Sequence, residues 1–167
     1  MPALLLLLAL TVVGCGAIVA PGGGLPDRPD NPKAIAPIAV VAQGSGAAGE
    51  FRVWAYHTSE GMACIELAST GGATGACDPT GRPPVGGSGV NRNARGVVVW
   101  ANTGEASATT AIVHDASGAS LNVGLIDGGP TLPGVKVAVA SLGPSGSPLA
   151  IDFLNAAGSK VDSVRLP

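Results

Sequence analysis

Apolar and polar residues alternate along most of the chain after residue 50, a period of two that predicts strands. The segment 51–56 (FRVWAY) sets Phe51, Val53 and Ala55 on one side and Arg52, Trp54 and Tyr56 on the other, because successive strand side chains point to opposite faces. Similar patterns mark 62–67 (MACIEL), 109–114 (TTAIVH), 120–125 (SLNVGL), 149–154 (LAIDFL) and 160–166 (KVDSVRL). In 135–140 (VKVAVA) the alternation is clean, with Val135, Val137 and Val139 inward and Lys136 outward. The segment 96–101 (GVVVWA) is a continuous apolar run instead, which predicts a strand buried on both faces. No segment carries an amphipathic helical pattern of useful length.

Turn residues divide these strands. Asp115-Ala116-Ser117-Gly118 and Asn155-Ala156-Ala157-Gly158 share one design. Asp or Asn opens a type I turn by accepting a local backbone N–H, and Gly in fourth place takes positive φ without a Cβ penalty. Each predicts a hairpin, 109–114 with 120–125 and 149–154 with 160–166. About eight short strands with frequent turns predict an all-β, antiparallel domain over residues 50–167, and an immunoglobulin-like sandwich is the preferred arrangement.

Upstream the pattern weakens. Residues 34–42 (AIAPIAVVA) are apolar and could start the sheet, with Pro37 confining them to an edge. Gly44-Ser45-Gly46-Ala47-Ala48-Gly49 matches the glycine spacing of a dinucleotide loop, but a strand pattern follows it. Without a helix N-terminus to hold phosphate, the stretch reads as flexible linker.

Residues 1–20 (MPALLLLLALTVVGCGAIVA) have no charged side chain, and none occurs before Asp27. The run Ala3 to Val13 has the length of a signal-peptide apolar region and is short for a membrane span. It ends in Val12-Val13-Gly14-Cys15, which resembles the lipobox of bacterial lipoproteins. The resemblance implies a signal peptide over 1–14, cleavage before Cys15, lipid on its thiol, and anchoring on the outer side of the membrane. The leading segment lacks the Lys or Arg usual there, and the alternative is an uncleaved helical anchor from Met1 to Ala20. Residues 16–37 are rich in Pro and Gly, so residues 15–49 read as a lipidated cysteine and flexible tether. Extended, the Pro/Gly-rich stretch 16–37 would hold the domain about 50–60 Å from the bilayer.

The second half resembles small secreted modules of high-GC bacteria, through the Trp-bearing strand 51–56, Cys64 with Cys77, and the turn at Asn155. No established activity comes with that resemblance. Once lipid occupies Cys15, two of the three cysteines remain, and export into an oxidising compartment favours a Cys64–Cys77 disulfide. The alternative is a pair of buried free thiols acting as small apolar side chains.

Composition excludes more than it assigns. Charged residues are 12% of the chain and net charge is −2. The basic residues are scattered, and the nearest pair, Arg92 and Arg95, falls in a polar stretch (Asn91 to Arg95) that reads as a solvated loop. Nucleic acid is therefore excluded as a partner. His57 and His114 with two distant cysteines do not make a zinc ligand set, and no calcium-loop spacing occurs. No cofactor or metal is expected. Ser88 and Ser145 lie in turn sequences and do not complete a nucleophile elbow, while Glu60 and Glu66 straddle a strand start. No catalytic residue is assigned.

Aromatic residues are 3% of the chain. Trp54, Tyr56 and Trp100 could form a stacking platform for a sugar or a protein, but their scarcity favours placing them in the core. The function this supports is a structural or protein-binding surface module whose partner is an envelope protein or cell-wall polymer. The alternative is an envelope enzyme or carbohydrate-binding accessory.

Overall fold

The structure, a computed structural model, describes residues 25–167. The lipobox, Cys15 and the start of the tether lie outside the described residues. The fold is all-β: no helix occurs among the described residues. Eleven strands form two antiparallel sheets that pack as a β-sandwich.

Strands β1 (Ala34–Gly46), β2 (Gly49–Thr58), β3 (Ala63–Ser69) and β4 (Gly72–Asp78) follow one another in the smaller sheet. The larger sheet contains β5 (Ser88–Asn93), β6 (Gly96–Thr103), β7 (Ala108–Asp115), β8 (Ser120–Asp127), β9 (Lys136–Leu142), β10 (Pro148–Asn155) and β11 (Lys160–Arg165). Its spatial order is β11-β10-β7-β8-β9-β6-β5.

Strand β6 explains how the two sheets share one domain. Val98 and Trp100 face the small sheet and pack with Val53, Ala55, Ile65 and Leu67. Val97, Val99 and Ala101 face the other way and join a second core with Ala111, Val113, Ile151, Phe153 and Val164. The continuous apolar run thus forms a strand buried on both faces, as its sequence predicts. The second core takes residues from β6, β7, β9, β10 and β11, with Val90 of β5 and Val123 and Leu125 of β8 packed against it. The large sheet therefore curls around its own interior. Thr103 Oγ1 of β6 donates to Asp162 Oδ2 of β11 at 2.6 Å. Ser88 Oγ donates to the Arg165 carbonyl at 3.3 Å and bridges the two edge strands.

Both predicted hairpins form, β7–β8 and β10–β11. Asp115 Oδ1 accepts from Ser117 N and Asn155 Oδ1 from Ala157 N, while Gly118 and Gly158 take φ of 86° and 77°. The backbone and side chain of Ser117, with the Ser147 N–H, hold the Asp115 carboxyl below the ordinary range.

Four stretches differ from expectation. The fold starts well before residue 50, since β1 takes up residues 34–46 of the supposed tether. The glycine-rich 44–49 is no linker: it ends β1 and turns the chain into β2, with Gly49 at φ 98° and Ala48 fully buried. The glycine-rich stretch 69–76, which carries no strand pattern in sequence, is largely strand β4, an edge strand whose small, half-exposed side chains give no alternation to read. Residues 91–93, expected in a solvated loop, belong to β5. There Asn91 is buried and its Nδ2 donates to the Gly72 carbonyl at 2.7 Å and to Ser69 Oγ at 3.2 Å, fastening β5 to the small sheet. A polar residue serves here because it satisfies backbone groups at a sheet edge.

Candidate functional site

Each sheet also has an outward face, and the two faces differ. On the small sheet, the inward residues of β2 and β3 are Val53, Ala55, Ile65 and Leu67, which leaves Arg52, Trp54, Tyr56, Cys64, Glu66 and Ala68 pointing outward. Trp54 and Tyr56 are nevertheless 0% and 2% exposed. They form a third apolar cluster with Ala34, Cys64 and Ala68, with Ile38 and Met62 at its margin. Trp100 is buried between the sheets. The alternative of a solvent-facing platform made by Trp54, Tyr56 and Trp100 is therefore corrected: all three are interior side chains.

Residues 25–33 hold the chain against this face. The Asp30 N–H donates to Glu66 Oε1 at 2.6 Å, and Arg52 Nη1 donates to the Pro26 carbonyl at 2.9 Å. Lys33 pairs with Glu60 at the sheet's end. Pro29 is buried between exposed neighbours. The strap makes no strand ladder with the sheet, which suits a segment with Pro at 26, 29 and 32, each lacking an N–H.

Beneath the strap, Glu66 is 5% exposed and accepts from Tyr56 Oη at 2.9 Å through its second oxygen. Burial, followed by the hydrogen bond to Glu66 and that carboxylate's charge, pushes the Tyr56 phenol well above its ordinary range. A depression of about 290 Å³ opens beside it, lined by Asp30, Asn31 and Pro32 of the strap, Glu66, and Ala73, Thr74 and Gly75 of β4. Gly75 stands opposite Glu66 in the β3–β4 register, and a Cβ there would come within 2.9 Å of the Ile65 carbonyl oxygen. The missing side chain keeps the depression open.

Cys64 and Cys77 are also directly opposite in β3 and β4, Cα–Cα 4.1 Å, and form a disulfide. Cys64 is fully buried in the outward cluster, whereas Cys77 is exposed on the edge strand. The bridge thus fastens the edge strand β4 beside the depression.

The second face belongs to β8, β7, β10 and β11. Their outward residues form rows across the strands: Ser120, His114, Ala150 and Arg165, then Asn122, Ile112, Asp152 and Ser163. Asp152 is the hub. Its Oδ1 accepts from Ser163 Oγ at 2.6 Å, and its Oδ2 lies 3.1 Å from His114 Nε2 and 3.4 Å from Lys160 Nζ. Partial burial opposes the charge, but Ser163, Lys160 and His114 together hold the carboxyl below its ordinary range. Ser120 Oγ is 3.3 Å from His114 Nδ1, so a hydrogen-bonded chain crosses four adjacent strands.

This brings a serine, a histidine and a carboxylate together, which separate positions in sequence concealed. The arrangement is still not that of a serine hydrolase. Serine meets Nδ1 and the carboxylate meets Nε2, the reverse of the hydrolase template. Ser120 sits exposed on a strand, not on a strained elbow. What the cluster does is hold four strands in register on a surface open to solvent.

The remaining candidates are apart from both clusters. His57 pairs with Ala63 at the start of β3, and Ser88 is spent on the Arg165 carbonyl. Ser145 lies in the turn between β9 and β10, which Gly146 closes by donating to the Gly143 carbonyl. Among the described residues, no group of three or more His, Cys, Asp or Glu side chains could hold a metal ion. Comparisons with protein-family models, with curated proteins and with solved structures found no match.

Proposed function

We propose that this protein is a lipid-anchored extracytoplasmic β-domain that works as a structural or protein-binding surface module. The reading starts from Val12-Val13-Gly14-Cys15 after an apolar run, with lipid on Cys15 as the membrane attachment. The observation that carries it is the Cys64–Cys77 disulfide, because such a bond persists in oxidising compartments outside the cytosol. With residues 25–33 bound to the domain, residues 16–24 lie between Cys15 and the described part of the chain. Fully extended they would reach about 30 Å, short of the longer tether expected from sequence. The domain then works close to the bilayer. A binding role fits side chains presented on sheet faces better than catalysis does.

The test is metabolic labelling with a fatty-acid analogue. Wild-type protein takes up label and fractionates with membranes, whereas Cys15→Ala takes up none and keeps its signal peptide. An unlabelled wild-type protein retaining residues 1–14 would replace this reading with the uncleaved helical anchor.

A further inference from the structure

We infer that the outward face of the small sheet is a recognition site for proline-rich peptides, filled in this chain by its own residues 25–33. The inference deepens the protein-binding reading and rests on it, since it names the chemistry of the partner. The occupant defines that chemistry. At its C-terminal end the strap is held by the Lys33–Glu60 ion pair and by the Ser59 N–H donating to the Lys33 carbonyl. Along its length three features hold it: a buried proline, Pro29, on a face whose largest buried side chains are Trp54 and Tyr56; a backbone carbonyl, Pro26, held by Arg52; and a backbone N–H, Asp30, held by Glu66. Each of these three is something that a peptide with the same proline spacing, bent as the strap is at Asp27, Arg28 and Asp30, can offer. Aromatic faces combined with polar groups aimed at a peptide backbone are a recurrent means of reading proline-rich segments.

Other observations make the occupant exchangeable. The strap lacks the ladder of backbone bonds that would bind it like a strand, and six of its nine residues, Pro26, Asp27, Arg28, Asp30, Pro32 and Lys33, are exposed. The Arg52 guanidinium lies over the Trp54 ring at 5.8 Å, and its buried Nε–H finds no acceptor among the described residues. One donor is thus left over for a peptide carbonyl. The depression, walled on one side by the strap's own Asp30, Asn31 and Pro32 and on the sheet side by Glu66, Ala73, Thr74 and Gly75, continues the site toward β4. The strap acts as a competitor in cis, and a tethered competitor has an effective concentration on the order of millimolar. An incoming peptide therefore binds appreciably only when its local concentration is high or when the strap is weakened.

The experiment uses the full chain and a fluorescent peptide of its own residues 25–33 (LPDRPDNPK). Peptide binding is measured for wild type and for Pro29→Glu, which places a charge where the proline ring is buried. The variant binds the peptide at least tenfold more tightly than wild type. Its tryptophan emission is red-shifted, and adding peptide reverses the shift. A control peptide with the prolines replaced by alanine binds neither protein. Should Pro29→Glu not fold, Pro29→Ala serves, with a smaller gain in affinity of the same sign. Two results would overturn the inference: no binding of the proline-containing peptide to a folded Pro29 variant, or equal binding of the proline-free control. If peptide binding fails while Cys15 is still labelled and the domain still captures an envelope protein, the module reading survives and the partner uses another face.

Discussion

The two outward faces carry residues of overlapping type, carboxylates, hydroxyls and cations, yet they have opposite physical character. On the small sheet, Glu66 lies under a strap, bonded to a phenol and a backbone N–H, beside two buried aromatic rings. On the large sheet, Asp152 lies on an open surface within reach of Lys160, His114 and Ser163. In the first case the carboxylate is almost wholly buried, so each polar group depends mainly on its named partner. In the second, water can replace any partner lost. The lesson is that the cover, and not the inventory of residues, decides how much a polar cluster matters.

The largest expected difference concerns the aromatic core under the strap. Trp54→Ala should cost about 3–5 kcal/mol in chemical denaturation, as removal of a fully buried indole does. Ile112→Ala, on the open face, should cost well under half of that. Comparable losses at the two positions would mean that the strap does not cover Trp54.

Next in size is the buried carboxylate. Glu66→Ala strands the Tyr56 hydroxyl and the Asp30 N–H together, and should lower stability by about 1–3 kcal/mol. Deuterium exchange at the Asp30 amide should quicken at the same time, because its acceptor is gone. An unchanged exchange rate would separate the strap from Glu66.

Smaller effects are expected at Asp152. Its folded-state carboxyl is depressed, so the stability it contributes is fully present above the unfolded value of about 3.9 and is lost as pH falls through the folded one. The difference between wild type and Asp152→Asn should be about 0–1 kcal/mol at neutral pH and should vanish in strong acid. His114→Ala should change stability by no more than about 0.5 kcal/mol at neutral pH.

How much of this could be read from the sequence depended on whether a residue's role was periodic. The apolar run 96–101 and the turns at Asp115 and Asn155 are local signals, and they placed β6 and two hairpins. The strands β4 and β5 were missed because their contributions are not apolar. Gly75 and Ala73 leave space, while Asn91 satisfies backbone groups of a distant turn. The cover over Trp54 and Tyr56 was missed for a related reason. A segment dense in proline reads as unstructured when its partner is far away in sequence, and nothing in LPDRPDNPK announces Glu66 or Arg52. Likewise Ser120, His114 and Asp152 meet only because β7 lies between β8 and β10. The pairing of Cys64 with Cys77 was legible from the number of cysteines once Cys15 is set aside for the proposed lipid, whereas its position beside the depression was not.

The covered face can be interrogated by one titration, because the chain contains a single tyrosine. Tyr56 has its phenol raised by burial and by Glu66, so the neutral phenol is the form favoured by the fold. The stability it contributes is fully present below the unfolded value of about 10 and is lost as pH rises through the folded one. Absorbance of tyrosinate should therefore stay flat through pH 11 in the native protein and rise near pH 10 in denaturant. If the phenol instead titrates near pH 10 in the folded, disulfide-bonded chain, the strap is not seated on Tyr56 and Glu66, and the contrast between the two faces does not hold.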